Sequence, residues 1–289
     1  MQTIVNEGWQ KVDTVVIATF GGYWDALSAS ALAGKYDAPI LLTGADTLSD
    51  TTAAEIKRLG AKQAIIVGGT AAVSSGVERQ LRGMGLSTQR YAGGDAQQTA
   101  IAIAEQVAAG SDTCIVATSN GYWDALAASP YAYAKETPIY LTDFKGRLSA
   151  ETLAAIKAGG FAHAVIAGGT SAVSSRTEGD LKKAGIADVK RAAGDDAVQT
   201  SLELAKWAIS QGMSADHMGV ATTDGFWDAL AGGPLLGRQG GVLVLANDNN
   251  VSNTVLPAAN KAKITRAYIF GGEAALEPKV MNAFEATTR

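Results

Sequence analysis

Cysteine is almost absent from this 289-residue chain, with Cys114 in the run TCIVAT as the one instance. An intrachain disulfide is therefore excluded. The compartment stays open, because cytosolic proteins and many surface proteins alike do without disulfides. Cys114 itself reads as a small core residue of an apolar run. Histidine is nearly as scarce. His163 and His217 each fall in one stretch only, and no Cys or carboxylate cluster at ligand spacing accompanies them, so no metal and no cofactor is expected. No segment reaches the roughly 18 consecutive apolar residues that a membrane span requires, so membrane insertion is not expected. The opening MQTIVNEGWQKVD lacks the basic start and apolar stretch of a signal peptide, so an export signal would have to lie in sequence outside this chain. A basic excess is missing too. The formal net charge is −4, which argues against duplex nucleic acid as a partner while leaving room for a local basic cleft.

Catalytic signatures are also lacking. There is no G-x-G-x-x-G, no lysine at P-loop spacing after a glycine pair, and no G-x-S-x-G elbow. The strand-end Glu and D-x-D by which Toprim nucleases hold Mg²⁺ are not found either. The chain is expected not to be an enzyme.

What is present is repetition. GYWDAL stands at Gly22–Leu27 and Gly121–Leu126, and GFWDAL at Gly225–Leu230. GGTAAVSS begins at Gly68, GGTSAVSS at Gly168 and GGEAALEP at Gly271. APILLT, TPIYLT and GVLVLA follow the same order, and RYAGGDAQQT at Arg90 matches RAAGDDAVQT at Arg191. The period is about 100 residues, domain-sized rather than solenoid-sized, so each copy can carry its own small core. The copies are expected at residues 1–91, 92–192 and 193–289, the third most diverged. The first lacks a preceding R-x-x-G-x-D, which suggests a start inside a repeat.

Within the first copy, VVIAT (Val15–Thr19) is a β-branched run suited to a strand buried on both faces. A helix is expected from Tyr23 to Lys35, a strand at ILLT, a helix capped by Ser49 and stopped at Gly60, a strand at AIIVGG, and a weaker strand at TQRYAG. Ser75-x-x-Glu78 and Ser175-x-x-Glu178 read as capping boxes, as do Asp95-x-x-Gln98 and Asp196-x-x-Gln199, so Ser75, Ser175, Asp95 and Asp196 are expected as helix caps. Pro278 takes the first helical turn in the third copy. Strands alternating with helices predict right-handed crossovers and a mostly parallel sheet of about four strands. Packing of the three units about a pseudo-threefold axis would make up for their small individual cores.

GGxxAVS followed by a V-E-x-x-L helix, the P-I-L-L strand, the Asp-Ala-Leu helix start and R-x-x-G-x-D-x-x-x-T, taken together and repeated, resemble the cell wall-binding repeat type 2 family. The resemblance covers essentially the whole chain. It implies three tandem Toprim-like α/β units packed as a pseudo-trimer within one monomer. It further implies a noncovalent anchor on the wall of a Gram-positive cell, with an extracellular surface location. The implied partners are an anionic secondary wall glycopolymer and a fused effector domain outside this chain. Two departures stand out. Ala96 and Ala197 occupy the place where the family usually has Arg after the Asp, and the aromatic-Trp pair before Asp-Ala-Leu is not the usual choice.

The candidate ligand residues are Trp24, Asp25, Trp123, Asp124, Trp227 and Asp228, with Arg90 and Arg191. The Trp–Asp pairs follow the first strand of each copy, at the sheet edge where open α/β proteins bind ligands. Trp could stack on a sugar and Asp could accept from hydroxyls. The alternative is that Asp favours a helix N-terminus and Trp fills a junction between repeats. Arg90 and Arg191 stand at strand ends ahead of a helix, where a guanidinium and helix N–H groups make an anion pocket. The alternative is pairing with Asp95, Asp196 or an Asp of the WDAL motifs. The glycine pairs read as tight turns rather than phosphate cradles. A rival function is a glycan- or phosphate-handling hydrolase using Asp25, Asp124 or Asp228, which would require a second carboxylate roughly 5–10 Å away.

Overall fold

A computed structural model of the chain describes residues 1–247, 264–273 and 275–286. The centre of GGEAALEP, Ala274, is outside that set. The first repeat runs α1 (Gln2–Gly8), β1 (Thr14–Thr19), α2 (Ala29–Lys35), β2 (Ile40–Thr43), α3 (Asp50–Leu59), β3 (Gln63–Val67), α4 (Ser75–Gly83) and β4 (Ser87–Tyr91). The second runs α5 (Ala96–Val107), β5 (Thr113–Thr118), α6 (Trp123–Ala134), β6 (Ile139–Thr142), α7 (Ala150–Gly159), β7 (His163–Ala167), α8 (Ser175–Lys183) and β8 (Asp188–Ala192). The third contributes α9 (Ala197–Ser210), β9 (His217–Thr222), α10 (Trp227–Arg238), β10 (Val242–Ala246), β11 (Arg266–Phe270) and a last helix, Pro278–Ala286.

Each sheet is parallel, as the alternation of strands and helices predicts. The orders are β2-β1-β3-β4, β6-β5-β7-β8 and, among the described residues, β10-β9-β11. The apolar runs TVVIAT and TCIVAT are buried at every position because β1 and β5 sit inside their sheets with helices on both faces. The edge strands β4 and β8 are less covered, each fully buried only at its last residue, Tyr91 and Ala192. Cys114 lies in the second core, where burial pushes its thiol up to about 12 and leaves it inert. Ser49 and Ser149 cap α3 and α7 through the Thr52 and Thr152 N–H groups at 3.3 and 3.0 Å, and Gly60 and Gly160 end them in the left-handed conformation.

The three units close into a ring. The central helices α2, α6 and α10 pack on one another. Each leading helix packs on the central helix of the repeat before it: α5 on α2, α9 on α6, and α1 on α10, which joins the last repeat to the first. Gly34 lets two main chains come close, since a Cβ there would stand 2.0 Å from the Tyr133 carbonyl oxygen, and Gly233 does the same towards a side chain, 1.9 Å from Ser129 Oγ. A polar knot secures the junction. The indole N–H of buried Trp9 donates to the Asp37 carbonyl at 2.9 Å, and the Tyr133 hydroxyl donates to Asp37 Oδ1 at 2.9 Å. Arg238 donates to both Asp37 carboxylate oxygens at 2.7 and 3.0 Å, reaches the Gly8 carbonyl at 2.9 Å, and lies over the Trp9 ring. Residues of all three repeats meet there.

Three helix starts differ from expectation. The capping serine of α4 is Ser74, whose Oγ accepts from the Val77 N–H at 3.4 Å, and Ser75 is the first helical residue. Ser174, likewise, precedes α8, with Ser175 inside the helix. In the first repeat the Glu78 carboxylate accepts from Arg90, Arg82 and Thr88, and in the second Glu178 accepts from Lys182, so neither reaches back to close a reciprocal box. The helix expected from Tyr23 begins as a 3₁₀ turn, Ala26–Ser28, before α2.

Candidate functional site

The order β2-β1-β3-β4 places a switch of direction beside β1. Ligands of open parallel sheets bind outside the strand C-termini at such a point. Here the loops after β1, β3 and β4 converge on a groove of about 580 Å³. Trp24 and Asp25 come from the first loop, Gly69 to Ala72 from the second and Gly93 to Gln97 from the third, while Ser119, Asp143 and Phe144 of the second repeat form the far wall. Smaller grooves sit at Trp123, with Asp196, Thr223 and Asp224, and at Trp227, with Asp224, Asp228, Glu273 and Glu277.

Each WDAL aspartate turns inward onto the first glycine of the GG motif in its own repeat. A Cβ on Gly68 would lie 2.4 Å from Asp25 Oδ2, and one on Gly168 would lie 2.3 Å from Asp124 Oδ2. Both glycines have positive φ, +98° and +110°, so the turn and the carboxylate share one requirement for glycine. Asp124 is 9% exposed and makes no hydrogen bond, and burial pushes its carboxyl up to about 6. Asp25 is less buried. Desolvation raises its pKa as well, nearby Thr99 lowers it, and the charge of Asp95 raises it. Asp228 is half-buried beside Gly271.

The tryptophans divide. Trp123 donates its indole N–H to the Thr223 carbonyl at 2.8 Å, and Trp227 donates to the Phe20 carbonyl at 3.0 Å, each bridging to the next repeat. Trp24 makes no hydrogen bond among the described residues and is 43% exposed on the large groove. The rings that meet on the axis are their neighbours. Tyr23, Tyr122 and Phe226 contact one another with centroids 5.2, 5.7 and 5.8 Å apart. The junction role, open to Trp as the alternative to ligand binding, is thus shared: Trp123 and Trp227 bridge repeats and the aromatic before each Trp meets its counterparts. Phe144 and Asp143 were also missed, because the segment DFKG has no counterpart of that chemistry in the other copies.

Arg90 and Arg191 do not pair with Asp95, Asp196 or a WDAL aspartate. Arg90 donates to the Gly68 carbonyl at 2.7 Å and pairs with Glu78 at 2.9 Å. Arg191 donates to the Gly168 and Val173 carbonyls at 2.7 and 3.0 Å. Each arginine thereby holds the glycine turn of its own repeat. Asp95 and Asp196 accept from the Gln98 and Gln199 N–H groups at 2.9 and 2.7 Å as N-caps of α5 and α9. Among the described residues lining the three grooves there is no Lys or Arg. No group of three His, Cys, Asp or Glu among the described residues could hold a metal ion, and no helix there is long and apolar enough to cross a membrane.

Three parallel α/β units closed into a ring, with grooves at corresponding sheet edges, define a tandem-repeat binding module. The chain belongs to the cell wall binding domain 2 family, whose profile matches residues 2–78, 90–178 and 191–281. Among curated proteins it is 30% identical to the N-acetylmuramoyl-L-alanine amidase LytC of Bacillus subtilis, over 96% of this chain and 54% of that protein. It is also 30% identical to the amidase enhancer of the same organism, over 96% of this chain and 37% of that protein. Cwp6 and Cwp8 of Clostridium difficile share the fold, with TM-scores of 0.87 and 0.83 at 25% identity. The matches cover 99% and 98% of this chain but 46% and 49% of those chains. The chain thus spans about half or less of each of these relatives.

Proposed function

We propose that this chain is a noncovalent anchor that holds attached segments on the outer wall of a Gram-positive cell by gripping a wall glycopolymer. The observation that carries this is the ring itself. It locks the three repeats together while leaving three sheet-edge grooves, each with an exposed or half-exposed Trp and at least one carboxylate. Three weak sites on one rigid body suit a repeating polymer, because occupancy of one raises the effective concentration at the next. The polymer as a whole is anionic in this reading. Its acidic groups would be carried past the grooves rather than into them, since Arg90 and Arg191 are engaged by Gly68 and Gly168. Activity, if the full protein has one, belongs to segments outside the module.

A hydrolytic reading would draw on WDAL carboxylates that share a groove with others, Asp25 with Asp95, which is occupied as the cap of α5, and Asp228 with Asp224, Glu273 and Glu277. The anchoring reading is tested by sedimenting the purified chain with Gram-positive walls before and after extraction of the secondary polymer. Retention on intact walls and release from extracted walls is the expected result. Equal retention on both would sink the reading.

A further inference from the structure

The groove at Trp24 differs from the other two in ways that define what it takes. In the second and third repeats the helix begins at the Trp, and its indole N–H is spent on a carbonyl of the next repeat. In the first repeat the chain enters a 3₁₀ turn at Ala26, α2 starts at Ala29, and Trp24 is left outside any helix with its N–H free. The facing wall carries Phe144, which is 67% exposed. An indole and a phenyl ring from two different repeats line one cavity of about 580 Å³ and offer apolar faces to a flat, ring-shaped ligand. Such exposed apolar side chains grouped on one groove call for an occupant.

Charge narrows the class. The groove presents Asp25, Asp95 and Asp143, with no lining Lys or Arg. Asp143 carries its own counter-charge: Oδ2 pairs with Arg147 at 3.3 Å, and Oδ1 accepts from the Lys145 and Arg147 N–H groups at 2.9 and 2.8 Å. Asp25 and Asp95 have no Lys or Arg beside them among the groove's lining residues, so an acidic sugar or a phosphate would face those two carboxylates uncompensated. A ligand with hydroxyl or amide donors would meet acceptors at Asp25 and Asp143, and the free indole N–H of Trp24 supplies a donor for a ring or acetyl oxygen. We infer that the groove between the first and second repeats is a subsite for an uncharged pyranoside unit, with Trp24 and Phe144 as stacking platforms and Asp25 and Asp143 as hydroxyl acceptors. This deepens the anchoring proposal and rests on it. The module then recognises its polymer at neutral sugar residues, and binding at this groove is insensitive to salt, unlike binding led by arginine–phosphate pairs.

The test follows the indole N–H resonances of the whole chain in ¹H–¹⁵N spectra during titration with neutral N-acetylhexosamine oligomers and, separately, with oligogalacturonate. The neutral oligomer is expected to move the Trp24 signal and leave those of Trp123 and Trp227 in place. Its affinity should fall about ten-fold or more in Trp24→Ala and recover in part in Trp24→Phe, which keeps a ring face. Raising salt should change it less than two-fold. Movement of Trp24 by oligogalacturonate and not by the neutral oligomer would overturn the assignment, as would silence towards both at millimolar concentration. Wall sedimentation in parallel separates the two proposals. Wild-type chain that sediments with walls while Trp24 stays silent overturns the subsite alone, and failure to sediment overturns the anchor.

Discussion

Replacing Gly34 by alanine tests the ring where a central helix lies closest to the main chain of its neighbour. In an isolated helix the change favours folding by about 1 kcal/mol, because alanine loses less backbone entropy than glycine. In this ring the added Cβ would sit 2.0 Å from the Tyr133 carbonyl oxygen and 2.8 Å from its carbon. Both are backbone atoms of α6, so no side-chain rotation relieves the contact. Reaching an ordinary contact of 3.4 Å requires α2 and α6 to part by about 1.4 Å. Overpacking of that kind costs about 1–3 kcal/mol, and more where the obstacle is main chain. The net expectation is a loss of about 2 kcal/mol, or about 5 °C in the thermal midpoint for a chain of this size. The control is Gly179→Ala, in the middle of α8, where a Cβ meets nothing within 4 Å. That variant should gain up to about 1 kcal/mol. Urea denaturation followed by tryptophan fluorescence reads both. A Gly34→Ala midpoint at or above wild type would refute the close-packed hub.

Two further outcomes follow from the same contacts. Arg238→Ala removes two bonds to Asp37, one to the Gly8 carbonyl and the face contact with Trp9. Because Arg238 and Asp37 are partly exposed, the loss should be about 1–2 kcal/mol rather than that of a buried pair, and a change under about 0.5 kcal/mol in urea titration would remove the knot from the account. Asp124→Asn addresses the buried carboxyl. Its folded pKa of about 6 lies above the ordinary 3.8, so the Asp124 contribution to stability is fully present below about pH 4 and is lost as pH rises to about 6. A shift of that size corresponds to about 3 kcal/mol as an upper figure. The variant should be the more stable protein at pH 7.5, with the gap closing by pH 4. A gap that stays constant with pH would show that Asp124 is not the titrating group.

The unit fold was legible because its signals are local. TVVIAT and TCIVAT announce central strands, Ser49 and Gly60 bracket α3, and Asp95 and Asp196 cap the leading helices through a spacing of three. Where local rules misplaced a feature, the motif offered two neighbouring choices: Ser74 rather than Ser75 takes the cap of α4, and the Glu78 carboxylate goes to Arg90 of β4. The arginines have as partners carbonyls of glycine turns that no spacing rule connects to them. The candidate site shows the limit most clearly. Gly22–Leu27 and Gly121–Leu126 are the same six letters, yet one leaves an indole N–H free on a large groove and the other ties it to Thr223. The motif sets the shape of its own repeat. What its tryptophan does is set by the repeat beyond it, which for Trp123 presents a carbonyl within reach and for Trp24 presents Ser119 and the open wall of Phe144. A ring of near-identical units can therefore hold unequal sites. The inequality is carried by the diverged positions between the motifs, such as Asp143 and Phe144, and those positions are the place to alter ligand preference without loosening the ring.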